Sequence, residues 1–352
     1  MSNAIPDSNA PLHAPFDVKR LGEYLHRLGL LRTSDVKVQA ISGGQSNPTF
    51  ILHAGGDRYV LRKKPAGATL PGAHAVDREY RVLAALQGTD VPVPRVHVYC
   101  DDTEVIGTPF YVMDWLEGRV LVDQSLPGVS AAERADIYGE MNRVMARLHA
   151  VNPASVGLSD YGRPGNYFAR QISRWSRQSV ESSLPMGDAM RRLMDWLPEH
   201  IPPGDETTLV HGDFRLDNLI FHQSKPQVIG VLDWELSTLG HPLADFAYHC
   251  MSWHIPASLW RGIGGLDLDL LGIPSESRYV AAYAQSTGRK AADHWDFYMA
   301  YNLFRMAAIL RGIGQRAADG TAAASDAGDI SLKADPLAEI GWRCALRYAA
   351  GL

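Results

Sequence analysis

From residue 36 to residue 118 the chain reads as short strand-like runs punctuated by glycine, and from Ser130 onward it turns helical. VKVQAI, PTFILHA and RYVLR are rich in β-branched and aromatic residues, and SGGQSN and GGD separate them. The order is therefore strand, glycine loop, strand, hairpin turn, strand. Residues 74–87, HAVDREYRVLAALQ, follow a helical period, with Val76, Tyr80 and Leu83 on one stripe that also carries Glu79. VPVPRVHVYC and TPFYVMDWL are two further strands, the second running into EGR and a loop. SAAE then opens a capping box at Ser130, and Ile137, Met141, Val144 and Leu148 recur at helical spacing. Strands followed by helices predict an α+β protein of two lobes, residues 1–118 and residues 119–352. A length of 352 residues, beyond the size at which single cores stop growing, agrees with that division.

Composition removes several function classes. Hydrophobic residues make up 46% and charged residues 21%, which supplies ample core and no mark of a disordered chain. The net charge of -5 carries no broad positive field, so neither nucleic acid nor an anionic membrane is the expected partner. Cys100, Cys250 and Cys344 are scattered and outside any CxxC or Cys/His cluster, which predicts neither a disulfide framework nor a zinc site and fits a reducing cytoplasm. The opening MSNAIPDSNAPLHAP has no apolar segment of signal-peptide type and reads as a loose tail. No uncharged apolar run approaches the roughly 18 residues that span a bilayer. The sequence leaves the oligomeric state open.

Within the helical part, LVHGDFRLDNLIFH and QVIGVLDWE are the strong strand-like runs, and they hold the chemistry. Asp213 stands five positions before Asn218, and Asp233 ends the next run. Phosphoryl transfer to an alcohol needs a carboxylate near the attacking hydroxyl and oxygen ligands that hold magnesium against the phosphates. Asp and Asn also favour turns for backbone reasons, but turn chemistry does not account for this ordered set. HGDFRLDN resembles the kinase catalytic loop HRDxxxxN with its later metal-binding Asp. It is more similar still to the aminoglycoside phosphotransferase family, whose pattern is HGDxxxxN followed by DW or DF.

That resemblance implies a protein-kinase-like two-lobed fold, with ATP, or GTP, as phosphoryl donor, Mg2+ as metal and a small-molecule hydroxyl as acceptor. It implies Asp213 as catalytic base, His211 as a support for the loop, and Asn218 and Asp233 as metal ligands. Upstream, SGGQSN sits between two strands and is not a Walker A loop. Ser42, Gly43, Gly44, Gln45 and Ser46 are its expected phosphate-covering residues. Strand alternation puts Val60, Arg62 and Lys64 on one face and Leu61 and Lys63 on the other. The resemblance aligns Arg62 with the phosphate-pairing lysine of kinases, and the neighbouring Lys63 keeps that choice open. Glu79 is the expected partner of Arg62, since a carboxylate on a buried stripe is costly unless paired. FYVMDWLEG resembles the hinge of these enzymes, where main-chain groups of Asp114 and Leu116 would bond the adenine edge and Met113 would be the gatekeeper. In GHPLADFAY, Asp245 is the expected anchor of the catalytic loop. Gly212 stands where many protein kinases have arginine, so the site is expected to assemble without phosphorylation.

A subgroup resemblance bears on the acceptor. GGQSNPTF, YVLRKKP, AVDREYRVL, HGDFRLDN, LDWELSTLGHPLADFAY and YNLFRMAAILRG together resemble the amino-terminal phosphotransferase domains of acyl-CoA dehydrogenase family members ten and eleven. This subgroup is associated with phosphorylation of hydroxy acids or their coenzyme A thioesters. Charge points the same way: residues 161–179 hold Arg163, Arg170, Arg174 and Arg177 and no acid, and the last three share one helical face. Such a cluster suits a carboxylate or phosphate, or is a solvated basic face. Arg305 is a further anion contact, whereas Trp295, Tyr298, Tyr301 and Phe304 read as core. The alternatives are a kinase of aminoglycosides or other small alcohols, and a non-catalytic nucleotide-binding scaffold.

Overall fold

Gly55 and Gly56 close the first hairpin with φ of 59° and 94°. Their neighbours Ala54 and Asp57 pair directly, so the loop is the two-residue kind that requires left-handed backbone at both central positions. The strands it joins belong to a five-stranded antiparallel sheet. The computed structural model describes residues 14–41, 47–67, 75–320 and 327–351. In chain order the first elements are α1 Val18–Arg27, β1 Lys37–Ala40, β2 Thr49–Ala54, β3 Asp57–Lys63, α2 Val76–Leu86, β4 Val96–Cys100, α3 Thr103–Ile106, β5 Phe110–Asp114 and β6 Gly118–Val120. The sheet order is β1-β2-β3-β5-β4.

The register of β3 on β5 decides which side chains share a face. Leu61 pairs with Val112 and Lys63 with Phe110, and the apolar members of these pairs join Leu21, Leu25, Phe50 and Leu52 in one buried cluster. Arg62 pairs with Tyr111 and Val60 with Met113, and alternation turns these four to the opposite face. The expected stripe of α2 holds at Val76, Glu79 and Leu83, with Val82 and Leu86 beside them. Tyr80 departs from it: the ring is half-buried and lies 5.6 Å from that of Tyr99. Past EGR the expected loop gives way to a short strand, since Gly118–Val120 forms β6.

The remaining elements are α4 Ala131–Ala150, α5 Tyr167–Glu181, α6 Asp188–Glu199, β7 Thr208–Val210, β8 Leu219–His222, β9 Val228–Val231, β10 Thr238–Gly240, α7 Pro242–His254, α8 Leu268–Leu271, α9 Glu276–Thr287, α10 Trp295–Ala318, α11 Ala327–Ser331 and α12 Ala334–Ala350. Ser130 caps α4 by accepting the Glu133 amide at 3.2 Å, as its capping box predicts. Contacts divide the chain into two compact units. One runs to Val120 and also takes in Asn218–Glu235, a hairpin that the sequence division places in the second lobe. The other comprises Leu121–Asp217 and Leu236–Leu352. In the first unit β6, β8 and β9 form a second small sheet. In the other, β7 pairs with β10, and α10 is buried along most of its length, including Tyr298, Tyr301 and Phe304. Among the described residues no helix is long and apolar enough to cross a membrane.

Candidate active site

Each unit carries its own share of the candidate residues. In the helical unit the candidate catalytic loop leaves β7 through His211, Gly212 and Asp213. Gly212 has φ +82°, and a Cβ there would stand 2.7 Å from the Leu236 carbonyl oxygen, so this position tolerates no side chain. The loop is held by a single carboxylate on the first turn of α7. Asp245 accepts the Gly212 amide at Oδ1 and the His211 amide at Oδ2, each at 2.8 Å. Oδ2 also faces Nε2 of His149 at 3.2 Å, and Nδ1 of that ring meets the Tyr283 hydroxyl at 2.6 Å. Burial pushes the Asp245 carboxyl up, but the bond from His149 and the His211 amide outweigh it and hold the group below the usual carboxylate range. The His211 ring is fully buried, and its Nδ1 accepts the Asp213 amide at 3.2 Å.

The Asp213 carboxylate is fixed in turn. Tyr248, on α7, donates its hydroxyl to Oδ1, and Nε of Arg215 lies 3.1 Å from the same oxygen. Arg215 reaches Asp217 at 3.5 Å, where Arg261 donates as well. Arg305 of α10 is 7% exposed and donates to the Gly212 carbonyl at 2.8 Å, with its guanidinium 4.9 Å from the centre of the Tyr248 ring. Burial opposes its charge, yet Tyr301, Tyr167, Tyr248 and Asp213 raise its pKa above the ordinary guanidinium value. On α5 the arginines occupy the face opposite Phe168, Ile172 and Trp175. Arg170 donates to the carbonyls of Arg163 and Pro164, and Arg174 lies 4.9 Å over the Trp175 ring. Burial raises the pKa of both Tyr167 and Tyr301, and the charge of Arg305 pulls against it.

In the sheet unit, Asn218 directly precedes β8, and Asp233 stands two residues after β9. Leu219 pairs with Val231, and the Asn218 carbonyl accepts the Leu232 amide at 2.8 Å, which closes the same end of the hairpin. Asp233 has φ +64°, a left-handed conformation that aspartate tolerates better than most residues. The next residue, Trp234, is buried and donates its indole to the Val231 carbonyl at 2.9 Å, which gives the Asp-Trp pattern a local reason. Arg62 forms ion pairs with Asp233 through Nη2 and with Glu79 through Nε, each at 2.8 Å. Glu79 also accepts from Asn47 at 2.6 Å and from Tyr111 at 3.0 Å. Burial raises the Glu79 pKa, while Arg62 and these two bonds pull against it. The Arg62–Glu79 pair expected from a carboxylate on a buried stripe is therefore present. Lys63 is buried and spends its ammonium on the Lys64 carbonyl at 3.1 Å.

A carboxylate and an amide at one hairpin end form an oxygen donor set suited to Mg2+, which keeps waters and phosphate oxygens as its other ligands. Among the described residues no cluster of three His, Cys, Asp or Glu could hold a metal by itself. Asp114 gives its amide to the Arg95 carbonyl at 2.9 Å, so its carbonyl is the main-chain group it could offer a nucleotide. Its carboxylate meets Nε2 of His97 at 2.6 Å. Met113 and Val60 are register partners, and Leu116 packs toward Gly230. Ser42, Gly43, Gly44, Gln45 and Ser46 lie outside the described residues.

Residues 37–301 match the model of the phosphotransferase enzyme family. The chain belongs to that family. This phosphotransferase is 44% identical over 320 residues to mouse acyl-CoA dehydrogenase family member 10, covering 90% of its own length and 30% of the relative's. It thus spans under a third of that protein. A Ralstonia eutropha JMP134 protein whose crystal structure carries the aminoglycoside phosphotransferase name is 51% identical, with a TM-score of 0.87 over 94% of this chain and 99% of that one. An APH(4)-Ia mutant solved with AMP-PNP and hygromycin B shares the fold at 18% identity, with a TM-score of 0.58 over 92% and 98% of the two chains. The kinase-like α+β architecture expected from the sequence is thus present.

The site residues to which the sequence assigns no role include Tyr248, Arg215 and His149, and Asn47 and Tyr111 on Glu79. Tyr248 has a local signal: it follows Asp245 by three positions on one helix, so both face the same loop.

Proposed function

We propose that this phosphotransferase is a Mg2+-dependent kinase that moves the γ-phosphoryl group of ATP onto the hydroxyl of an anionic small molecule, a hydroxy acid or its coenzyme A thioester. The observation that carries the kinase reading is the Asp213 carboxylate, fixed at Oδ1 on a loop whose amides are locked by Asp245. Asp213 accepts the proton of the attacking hydroxyl, and His211 keeps its amide in place. Asn218 and Asp233 would hold the metal, which supplies neutralisation of the charge on the transferring phosphoryl group. Arg62, kept extended by Glu79, contacts the phosphates with a planar fork. The AMP-PNP complex of the APH(4)-Ia relative supports a nucleotide donor, and GTP remains the alternative base.

The acceptor class rests on Arg163, Arg170, Arg174 and Arg177, a run without an acid between residues 161 and 179, with Arg305 as a further anion contact, a charge pattern that favours anions over polycationic aminoglycosides. A panel of hydroxy acids, hydroxyacyl-CoA esters and aminoglycosides with ATP and Mg2+, read by mass spectrometry, tests it. Phosphorylated acids or thioesters are expected. Replacing Arg170 and Arg174 together by alanine should raise the acceptor KM more than about tenfold, since hydrogen bonds to charged groups are each worth roughly 1.5–3 kcal/mol. Phosphorylation of kanamycin-type compounds alone would overturn the acceptor class and leave the kinase chemistry standing.

A further inference from the structure

The phenol of Tyr248 is 5% exposed, and its hydroxyl donates to Oδ1 of Asp213. Its ring is fixed from one side by the Arg305 guanidinium at 4.9 Å, and Arg305 is tied to the same loop through the Gly212 carbonyl. Asp245 and Tyr248 thus divide the work along one face of α7: the first holds the loop's amides, the second holds the carboxylate that the loop presents. We propose that Tyr248 is a positioning residue for Asp213, whose hydroxyl orients the carboxylate and sets its strength as a base. This rests on the reading of Asp213 as the proton acceptor.

Three features carry the inference beyond packing. First, a neutral hydroxyl donor orients the carboxylate without cancelling its charge. Second, burial, and after it the Asp213 charge, drives the Tyr248 phenol far above its ordinary range, so it remains a donor at every working pH. Third, the groups near Asp213 include Arg215 on the same oxygen, Arg305 from α10, the His211 ring beneath its amide, and Asp245 beyond the loop backbone. Among these Tyr248 is the one whose hydroxyl can be removed while its shape and its contact with Arg305 are kept.

Tyr248→Phe does this. The Asp213 carboxyl loses a donor to its charged form, so the acidic limb of kcat/KM for the acceptor should move to higher pH by about one unit or more. The turnover number should fall about tenfold or more, with nucleotide KM within about twofold of wild type. A fluorotyrosine at position 248, with a more acidic phenol, should move the limb the opposite way. Carbon-13 NMR of labelled aspartate, assigned by the loss of one signal in Asp213→Asn, follows the same titration without any acceptor. A carboxyl titration that stays in place in both variants overturns the proposal. A titration that moves as expected in a protein that phosphorylates nothing retains the positioning role and overturns the kinase reading instead.

Discussion

Asp213 and Asp233 are two carboxylates beside short strands, and the two units hold them differently. In the sheet unit Asp233 faces a full cation, Arg62, whose second arm is occupied by Glu79. In the helical unit Asp213 faces a neutral hydroxyl with an arginine beside it, on a loop pinned through backbone amides. A carboxylate already paired with a cation suits a place where positive charge is exchanged or shared, as at a metal bound to phosphates. A carboxylate oriented by a hydroxyl on a pinned loop suits a place where an alcohol proton is accepted. On the function proposed above, the same functional group would serve two chemistries.

The largest effect that could break this contrast is on Asp213. Asp213→Asn keeps the size and removes the base, so turnover should drop by at least about 10²–10⁴-fold. Nucleotide affinity measured by calorimetry should stay near wild type. A variant that turns over the acceptor at a comparable rate would remove Asp213 from proton transfer and make the two carboxylates equivalent in role.

The next effect falls on Asp233 and Asn218. Asp233→Asn is preferable to alanine because the backbone there is left-handed, with φ +64°, and asparagine tolerates it. Loss of the formal charge should weaken nucleotide binding in the presence of magnesium and leave magnesium-free binding little changed. Asn218→Ala should do the same to a smaller degree, since it removes a neutral ligand. Titrations with and without magnesium check both. If the metal dependence of binding survived in both variants, the hairpin end would not be the metal site.

Much of this contrast is legible in the amino-acid sequence. The sheet strands announce themselves by alternation and by Gly55–Gly56. The Arg62–Glu79 pair follows from one charge on a strand face and one on a buried helical stripe. The candidate catalytic loop is marked by the spacing of Asp213, Asn218 and Asp233. What escapes is short or distant. β6 and β10 hold three residues each, too few for a period to register. Tyr248 meets Asp213 across 35 positions, and His149 meets Asp245 across 96, so no local pattern joins either pair. The hairpin Asn218–Glu235 belongs with strands that precede it by about a hundred residues, a fact set by pairing rather than by sequence order.

The smallest effect separates the two units by their response to acid. The helical unit buries His241 and His249, and burial lowers both to about 4 from 6.5. The unfolded chain takes up these protons below about 6.5 while the folded unit resists them until about 4. Their contribution is therefore complete above pH 6.5 and is lost as the pH falls toward 4. At about 1.4 kcal/mol per unit each is worth on the order of 3 kcal/mol. For His254 burial opposes the charge, but its bonds to Cys344 and Glu276 raise it to about 10, so it is already charged across this window and adds little to the slope. In the sheet unit the acid-range group with a shifted pKa is Glu79, and its shift is upward, so acidification favours the folded form there. Hydrogen exchange corrected for its intrinsic pH dependence should then show α7, capped by His241 and carrying His249, losing protection between pH 6.5 and 4. β2 and β3 should keep theirs. His249→Gln, which removes one of the two titrating rings, should reduce the loss in α7 by about half on the same arithmetic. Simultaneous opening of α7 and β2–β3 at one pH would mean that the two units respond to acid as one, and the contrast in how they hold their charges would not extend to stability.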